Sequence, residues 1–168
     1  MSMTSRDELP DYVDSAGAAG IGARLRRLSA AIDGDARRLY DEFGIAFEQR
    51  WLGLLDLLSS HGPLAVGELA RALGISHPSV SQSRDSLARA GLIDWETDEG
   101  DRRRRRLRLT AKGRRLVREL RPLWDALDGA AIELDREAGG VVAALRVLEE
   151  ALERRSLHAR VREMLDRR

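Results

Sequence analysis

The sequence predicts a mainly α-helical chain interrupted by one small β-hairpin, and three observations predict it. Apolar residues recur at helical spacing through most of the 168 residues. Between residues 64 and 113 two short helical patterns are separated by Gly74, a residue free to take the positive φ of a tight turn. They are followed by Gly91, an extended run LIDWET, a polar tip DEGD and a returning run RRRRRLRLT. Helix, turn, helix and hairpin together outline a winged helix-turn-helix, with further helices on either side.

Composition narrows the class. The chain has no cysteine, which removes disulfides, thiolate nucleophiles and thiolate metal sites together. No apolar run is long enough to span a bilayer and no charged-then-apolar leader opens the sequence, so a soluble, cytoplasmic protein without membrane partners is expected. Net charge is only +1, yet eleven basic residues face six acidic ones between Ser76 and Arg115, a local excess of five. Lys112 is the chain's one lysine, so nearly all of that charge is guanidinium, which forks onto phosphate or a guanine edge. A genome-wide preference for arginine would explain the shortage of lysine. It would not explain the clustering.

In chain order, residues 1–20 carry Pro10, Gly17 and Gly20 among small and acidic residues without an apolar period, and read as a disordered tail. Residues 21–46 hold a helix with Ile21, Leu25, Leu28, Ile32, Leu39 and Phe43 on one face and a weak point at Gly34. Residues 47–113 form the lobe that contains the motif. It opens with a helix over about 48–60 that buries Trp51, Leu54, Leu55 and Leu58, has His61 in its last turn and stops at Gly62–Pro63. Leu69, Leu73 and Ile75 supply the apolar face of the first motif helix. Ser76 caps the second, and Pro78 sits in its first turn, where a missing N–H costs nothing. On that second helix Val80, Leu87 and Ala88 are expected inward. Ser79, Ser81, Gln82, Asp85 and Ser86 are then expected outward, and short polar donors and acceptors suit base edges. Ser83 breaks the apolar pattern, so either the helix is rotated or the serine bonds back to a carbonyl one turn earlier.

In the hairpin Leu107 and Leu109 alternate with Arg106 and Arg108, so one face packs and the other presents guanidinium groups. Residues 114–168 form a long helix, with a kink expected at Pro122, and then a further helical run after Gly139–Gly140. Val141, Leu145, Leu148 and Leu152 make a heptad-like seam, and Leu157, Val161, Met164 and Leu165 continue on another face. Two apolar faces need two surfaces to pack on. A partner subunit is expected to supply the second, with the helix from Ile21 to Phe43 able to join it, or else the helices close into a single-chain bundle.

Residues 64–113 resemble the MarR family of winged-helix transcriptional regulators. The family's wing pattern of an aspartate, any residue, an arginine, alternating apolar residues ending in Leu-Thr, and a glycine three further on is met without gaps by Asp101, Arg103, Leu107, Leu109, Thr110 and Gly113. The resemblance implies a homodimer built by the N- and C-terminal helices, with one recognition helix per subunit in successive major grooves and each wing at a minor groove. A palindromic double-stranded operator, with half-sites about 34 Å apart, follows from two-fold symmetry.

On this resemblance Ser79, Ser81, Gln82, Arg84 and Ser86 of the recognition helix, with Ser76 and His77 at its start, are the expected DNA contacts. Arg103 enters the minor groove, Asp101 holds the wing, and Arg102, Arg104, Arg105 and Arg106 meet phosphates. The implied dimer contacts are Leu25, Leu28, Leu145, Leu148, Leu152, Leu157, Val161 and Leu165. Family members often bind small aromatic ligands between the dimer helices and the DNA-binding lobe, and Phe43, Phe47, Trp51 and Trp124 are the residues expected to border such a pocket.

Enzymatic readings find little to stand on. His61, His77 and His158 are far apart and have no partner at metal-ligand spacing, and there is no nucleophile elbow, phosphate loop or dinucleotide motif. No metal, cofactor or catalytic residue is expected. The competing expectation is a winged-helix module that holds a protein partner or RNA through its arginines, without sequence-specific DNA recognition.

Overall fold

The computed structural model describes residues 11–97 and 105–167. These form two compact units, one ending at Arg114 and the other running from Arg115.

The first unit opens on a short helix, α1 (Tyr12–Ser15), and a 3-10 turn over Gly17–Gly20. Residues 11–20 were expected to lack structure, and side-chain chemistry explains why they have it. Asp11 accepts from the Val13 amide at 2.8 Å, and its carboxylate also meets the Arg27 guanidinium. Arg24 bonds Asp14 at 2.6 Å. Arg27 and the Val13 amide hold the Asp11 carboxyl below its ordinary range. Residues 1–10 lie outside the described residues.

Helix α2 (Ile21–Glu42) runs through Gly34 without a break, correcting the expected weak point. One glycine inside a helix of 22 residues, beyond Gly22 in its first turn, costs only about 1 kcal/mol relative to alanine, too little to interrupt it. A 3-10 turn (Gln49–Trp51) leads into α3 (Leu52–His61), and α4 (Val66–Leu73) follows. Glu68 reaches back to accept from the Ala65 amide at 2.7 Å, the half of a capping box that an alanine at the cap position allows. Gly74 ends α4 at φ 64°, the left-handed conformation that its sequence position demanded. Ser76 then accepts from the Ser79 amide and starts α5 (His77–Arg89), with Pro78 in the first turn.

Strands β1 (Ile93–Thr97) and β2 (Arg105–Leu109) pair antiparallel, with Ile93 opposite Leu109 and Trp95 opposite Leu107. Leu64 extends the ladder by one bridge, exchanging both backbone bonds with Leu107. Leu107 and Leu109 are buried, as their alternation requires, together with Leu54, Leu55, Leu58, Leu69, Val80 and Leu87. Thr110 begins α6 (Ala111–Glu137), accepting from the Gly113 amide and donating to the Gly91 carbonyl. Gly113 is required there by close approach, since a Cβ would lie 2.1 Å from the Leu92 carbonyl oxygen. Lys112 donates to the Ala90 carbonyl just past the end of α5, at 2.8 Å.

In the second unit α6 continues unbroken through Pro122. It is followed by the Gly139–Gly140 turn, α7 (Val141–Arg154) and α8 (Leu157–Asp166). Ser156 caps α8, and Arg160 reaches back to the Ala151 carbonyl of α7. Neither α7 nor α8 contains a buried residue.

Candidate nucleic-acid interface

The surface of interest is built on α5. Its inward face carries Val80 and Leu87 as expected, but between them lie Ser83 and Ser86, 3% and 5% exposed, while Ala88 is exposed. The helix is therefore rotated relative to the pattern drawn from hydrophobicity alone. Ser86, expected as a DNA contact, is withdrawn from that role. Its hydroxyl accepts from the Trp51 indole N–H at 2.6 Å and donates to the Ser83 carbonyl at 3.1 Å. Arg84 also has partners within the protein. Its guanidinium binds Asp85 at 2.7 Å and lies 5.6 Å from the centroid of the Trp95 ring, which ties α5 to the wing strand β1.

In its N-terminal half α5 leaves uncharged polar residues outward. Ser76, His77, Ser79 and Gln82 are exposed, and Ser81 is half-buried. The Ser76 and Ser79 hydroxyls lie 2.8 Å apart, so the cap is shared between two side chains with polar capacity left over.

Within the wing, Asp101, Arg102, Arg103 and Arg104 lie outside the described residues. Arg105 starts β2 and is exposed. Arg106 does not stand free for phosphate, because it reaches the Pro63 carbonyl at 3.4 Å and lies 3.9 Å from Glu68. Arg108 sits between Asp94 at 3.7 Å and Glu96 at 3.6 Å. The acidic residues of β1 thus neutralise the root of the wing.

A cleft of about 380 Å³ opens between α2 and the turn before α3, lined by Asp33, Arg37, Tyr40, Phe47, Glu48, Gln49 and Arg50. Of the four residues expected to border a pocket, only Phe47 lines it. Phe43 is 64% exposed, past the end of α2. Trp51 stands behind Phe47, the two rings edge to face with centroids 5.7 Å apart. Trp124 belongs to the second unit, where the Arg121 guanidinium lies 5.2 Å from its ring centroid. Tyr40 stacks at a tilt on Phe47, 4.4 Å between centroids. The side-chain oxygen of Gln49 is buried without a hydrogen-bond partner. Sequence reading missed Tyr40 and Gln49, because nothing local distinguishes a tyrosine facing a cleft from one in the core.

Apolar surface is left uncovered on several helices, including Ile132 and Leu134 of α6. Ile21, Leu25, Leu28 and Ile32 form a stripe along α2, between 39% and 56% exposed. On α7 Leu152 is exposed, whereas Leu145 and Leu148 are half-buried, and on α8 Leu157, Val161, Met164 and Leu165 are all exposed. Among the described residues no helix is long and apolar enough to cross a membrane.

The sequence pattern of the MarR family matches residues 44–104, from the turn after α2 to the wing. Among solved structures, the chain is similar to S. aureus MepR in complex with DNA, at 24% identity over 78% of this chain and 97% of MepR, TM-score 0.64. Bordetella bronchiseptica BpsR, whose DNA binding is regulated by 6-hydroxynicotinic acid, gives 22% identity over 77% of this chain and 92% of its own, TM-score 0.64. The transcriptional regulator BldR of Sulfolobus solfataricus gives 20% identity over 87% and 99%, TM-score 0.57. At these identities the likeness is one of fold, and the fold shared is a helical frame carrying a winged helix.

Proposed function

We propose that this chain, whose residues 44–104 match the sequence pattern of the MarR family and whose fold is similar to that of MepR, is a cytoplasmic transcriptional regulator that binds a palindromic double-stranded operator as a homodimer. The observation that carries the proposal is the presence of two surfaces: the exposed, uncharged polar N-terminal half of α5, and the exposed Arg105 at the start of β2, which Arg102, Arg103 and Arg104 precede in the sequence. The first offers hydrogen-bonding groups of the size that reaches base edges, and the second offers charge that holds phosphate. Ser79 and Gln82 read bases, Ser76 and His77 stand at the groove edge, and the arginines from Arg102 to Arg105 supply backbone affinity and the reach into the minor groove.

The uncovered stripe on α2, and separately Leu152 of α7 and the apolar residues of α8, are surfaces that a second subunit covers. Exposed apolar area of this extent is costly in a monomer and marks an interface. The cleft beside Phe47 is the place for a small aromatic effector. Phe47 and Tyr40 offer it ring faces, Arg37 offers an anion partner, and Gln49 offers a buried acceptor that a ligand N–H or O–H satisfies.

Selection from random duplexes, run beside sedimentation of the free protein, tests the proposal. A dimer that enriches a palindrome, with a preference of roughly 10³ or more over random DNA, is the expected result. A folded sample that enriches no sequence at low salt overturns it in favour of a module for protein or RNA.

A further inference from the structure

Two apolar side chains hold α5 down, Val80 and Leu87. Seven residues apart, they lie only about 20° from each other around the helix, so by themselves they fix its distance from the core and leave its rotation to polar contacts. A competing arrangement, the one that the hydrophobicity of Ala88 and Ser86 alone favours, turns Ala88 inward and Ser86 outward and breaks the contact of Arg84 with Trp95. The two arrangements differ by a rotation of roughly 60°, at 100° per residue. With side chains ending about 5–6 Å from the axis, that rotation carries the end of Gln82 about 5 Å, well beyond the tolerance of a hydrogen bond to a base edge.

Hydrogen bonding selects between them. The Trp51 indole N–H is buried and donates to Ser86 Oγ at 2.6 Å, and Ser86 passes its own proton to the Ser83 carbonyl at 3.1 Å. Turning Ser86 outward strands the indole N–H in an apolar site, and an unmade buried hydrogen bond costs more than burying one alanine methyl recovers. Trp51 is itself held in place, by Phe47 packed edge-on against its ring and by the 3-10 turn that it closes.

We propose that Trp51 and Ser86 are positioning residues for sequence reading: their hydrogen bond sets the rotation of α5 and so decides which side chains meet the bases. The inference rests on the reading of α5 as the DNA-recognition helix. Neither residue touches DNA in this account, and neither contributes to phosphate affinity.

The test uses the full chain and three variants, Ser86→Ala, Ser86→Thr and Trp51→Phe, each checked for wild-type helicity and melting behaviour. The wild type and Ser86→Thr, which keeps the hydroxyl, are expected to enrich the same sequence. Ser86→Ala and Trp51→Phe should lose tenfold or more of the discrimination between that sequence and its single-base variants. Affinity for random duplex and its salt dependence stay unchanged, a split that general destabilisation does not produce. A folded Ser86→Ala protein that discriminates within twofold of wild type overturns the inference and leaves the function standing. Loss in Ser86→Thr equal to that in Ser86→Ala overturns it too, by assigning the effect to packing. If the wild type enriches nothing, it is the DNA-binding reading that fails. Should the alanine variant not fold, hydrogen exchange of the Trp51 indole in the wild type decides: slow exchange supports the bond, and exchange at the rate of an exposed indole overturns it.

Discussion

A side chain on α5 and one on the wing are expected to fail in different ways when removed. Gln82 is exposed on the turn that we propose enters the groove, and Gln82→Ala should cost about 1–3 kcal/mol at one operator position and little elsewhere. Arg105 offers only charge at this level, so Arg105→Ala should weaken every duplex alike and lower the slope of log affinity against log salt by roughly one. Competition titrations across salt separate the two, and identical behaviour would dissolve the division of labour. Gly113 makes a stability prediction of the same grain. Its missing Cβ would overlap the Leu92 carbonyl oxygen, which is backbone and has little room to yield. Gly113→Ala should therefore cost about 1–3 kcal/mol or more by denaturant titration, and a neutral result would mean that the junction between β2 and α6 is looser than described.

Among the elements, α2 and the hook before it give opposite expectations. Gly34 lies in helical backbone with open space where a Cβ would go, so Gly34→Ala should stabilise the protein by about 0.5–1 kcal/mol. A lower melting temperature would show that the position is needed bare. Asp11 ties α1 to α2, and its carboxyl titrates below the ordinary value of 3.8. A group depressed in the folded state stabilises above its unfolded pKa and stops doing so as pH falls through its folded one. The Val13 amide resonance, which senses the Asp11 bond, should accordingly shift with a midpoint below 3.8. A midpoint at or above that value sinks the account of the hook.

The same elements show what a sequence carries. Gly74, Ser76, Pro78 and the alternation of Leu107 with Leu109 act locally, so turn, cap and strand could all be read from neighbours. The rotation of α5 could not, because hydrophobicity ranks Ala88 above Ser86 as an inward residue. The partner that reverses the ranking, Trp51, is 35 residues away in the chain. The hook was hidden for a similar reason, since its ion pairs join Asp11 and Asp14 to arginines 10 to 16 residues on. Exposed apolar stripes on α2 and α8 were legible as pattern, although only the fold shows that the single chain leaves them bare.

For the molecule as a whole, the assembly we propose rests on those bare stripes. Leu28→Asp places a charge in the middle of the α2 stripe, and it should turn a sedimenting dimer into a monomer while helicity survives. Operator affinity should then fall by about 10²-fold or more, because the two half-sites are no longer held by one particle. A variant that stays dimeric moves the contact away from α2.

The ammonium of Lys112 has a consequence of another kind. Apart from the chain's α-amino group, it is the only amine in the protein, and it is seated on the Ala90 carbonyl where α5 ends. An acylating reagent therefore finds one side chain to modify, and modification replaces that cation with a neutral amide at a helix terminus that favours positive charge. Mild acetylation, read at Lys112 by peptide mass spectrometry and so kept apart from the α-amino group, becomes a gauge of how often that joint opens, with no engineered label required.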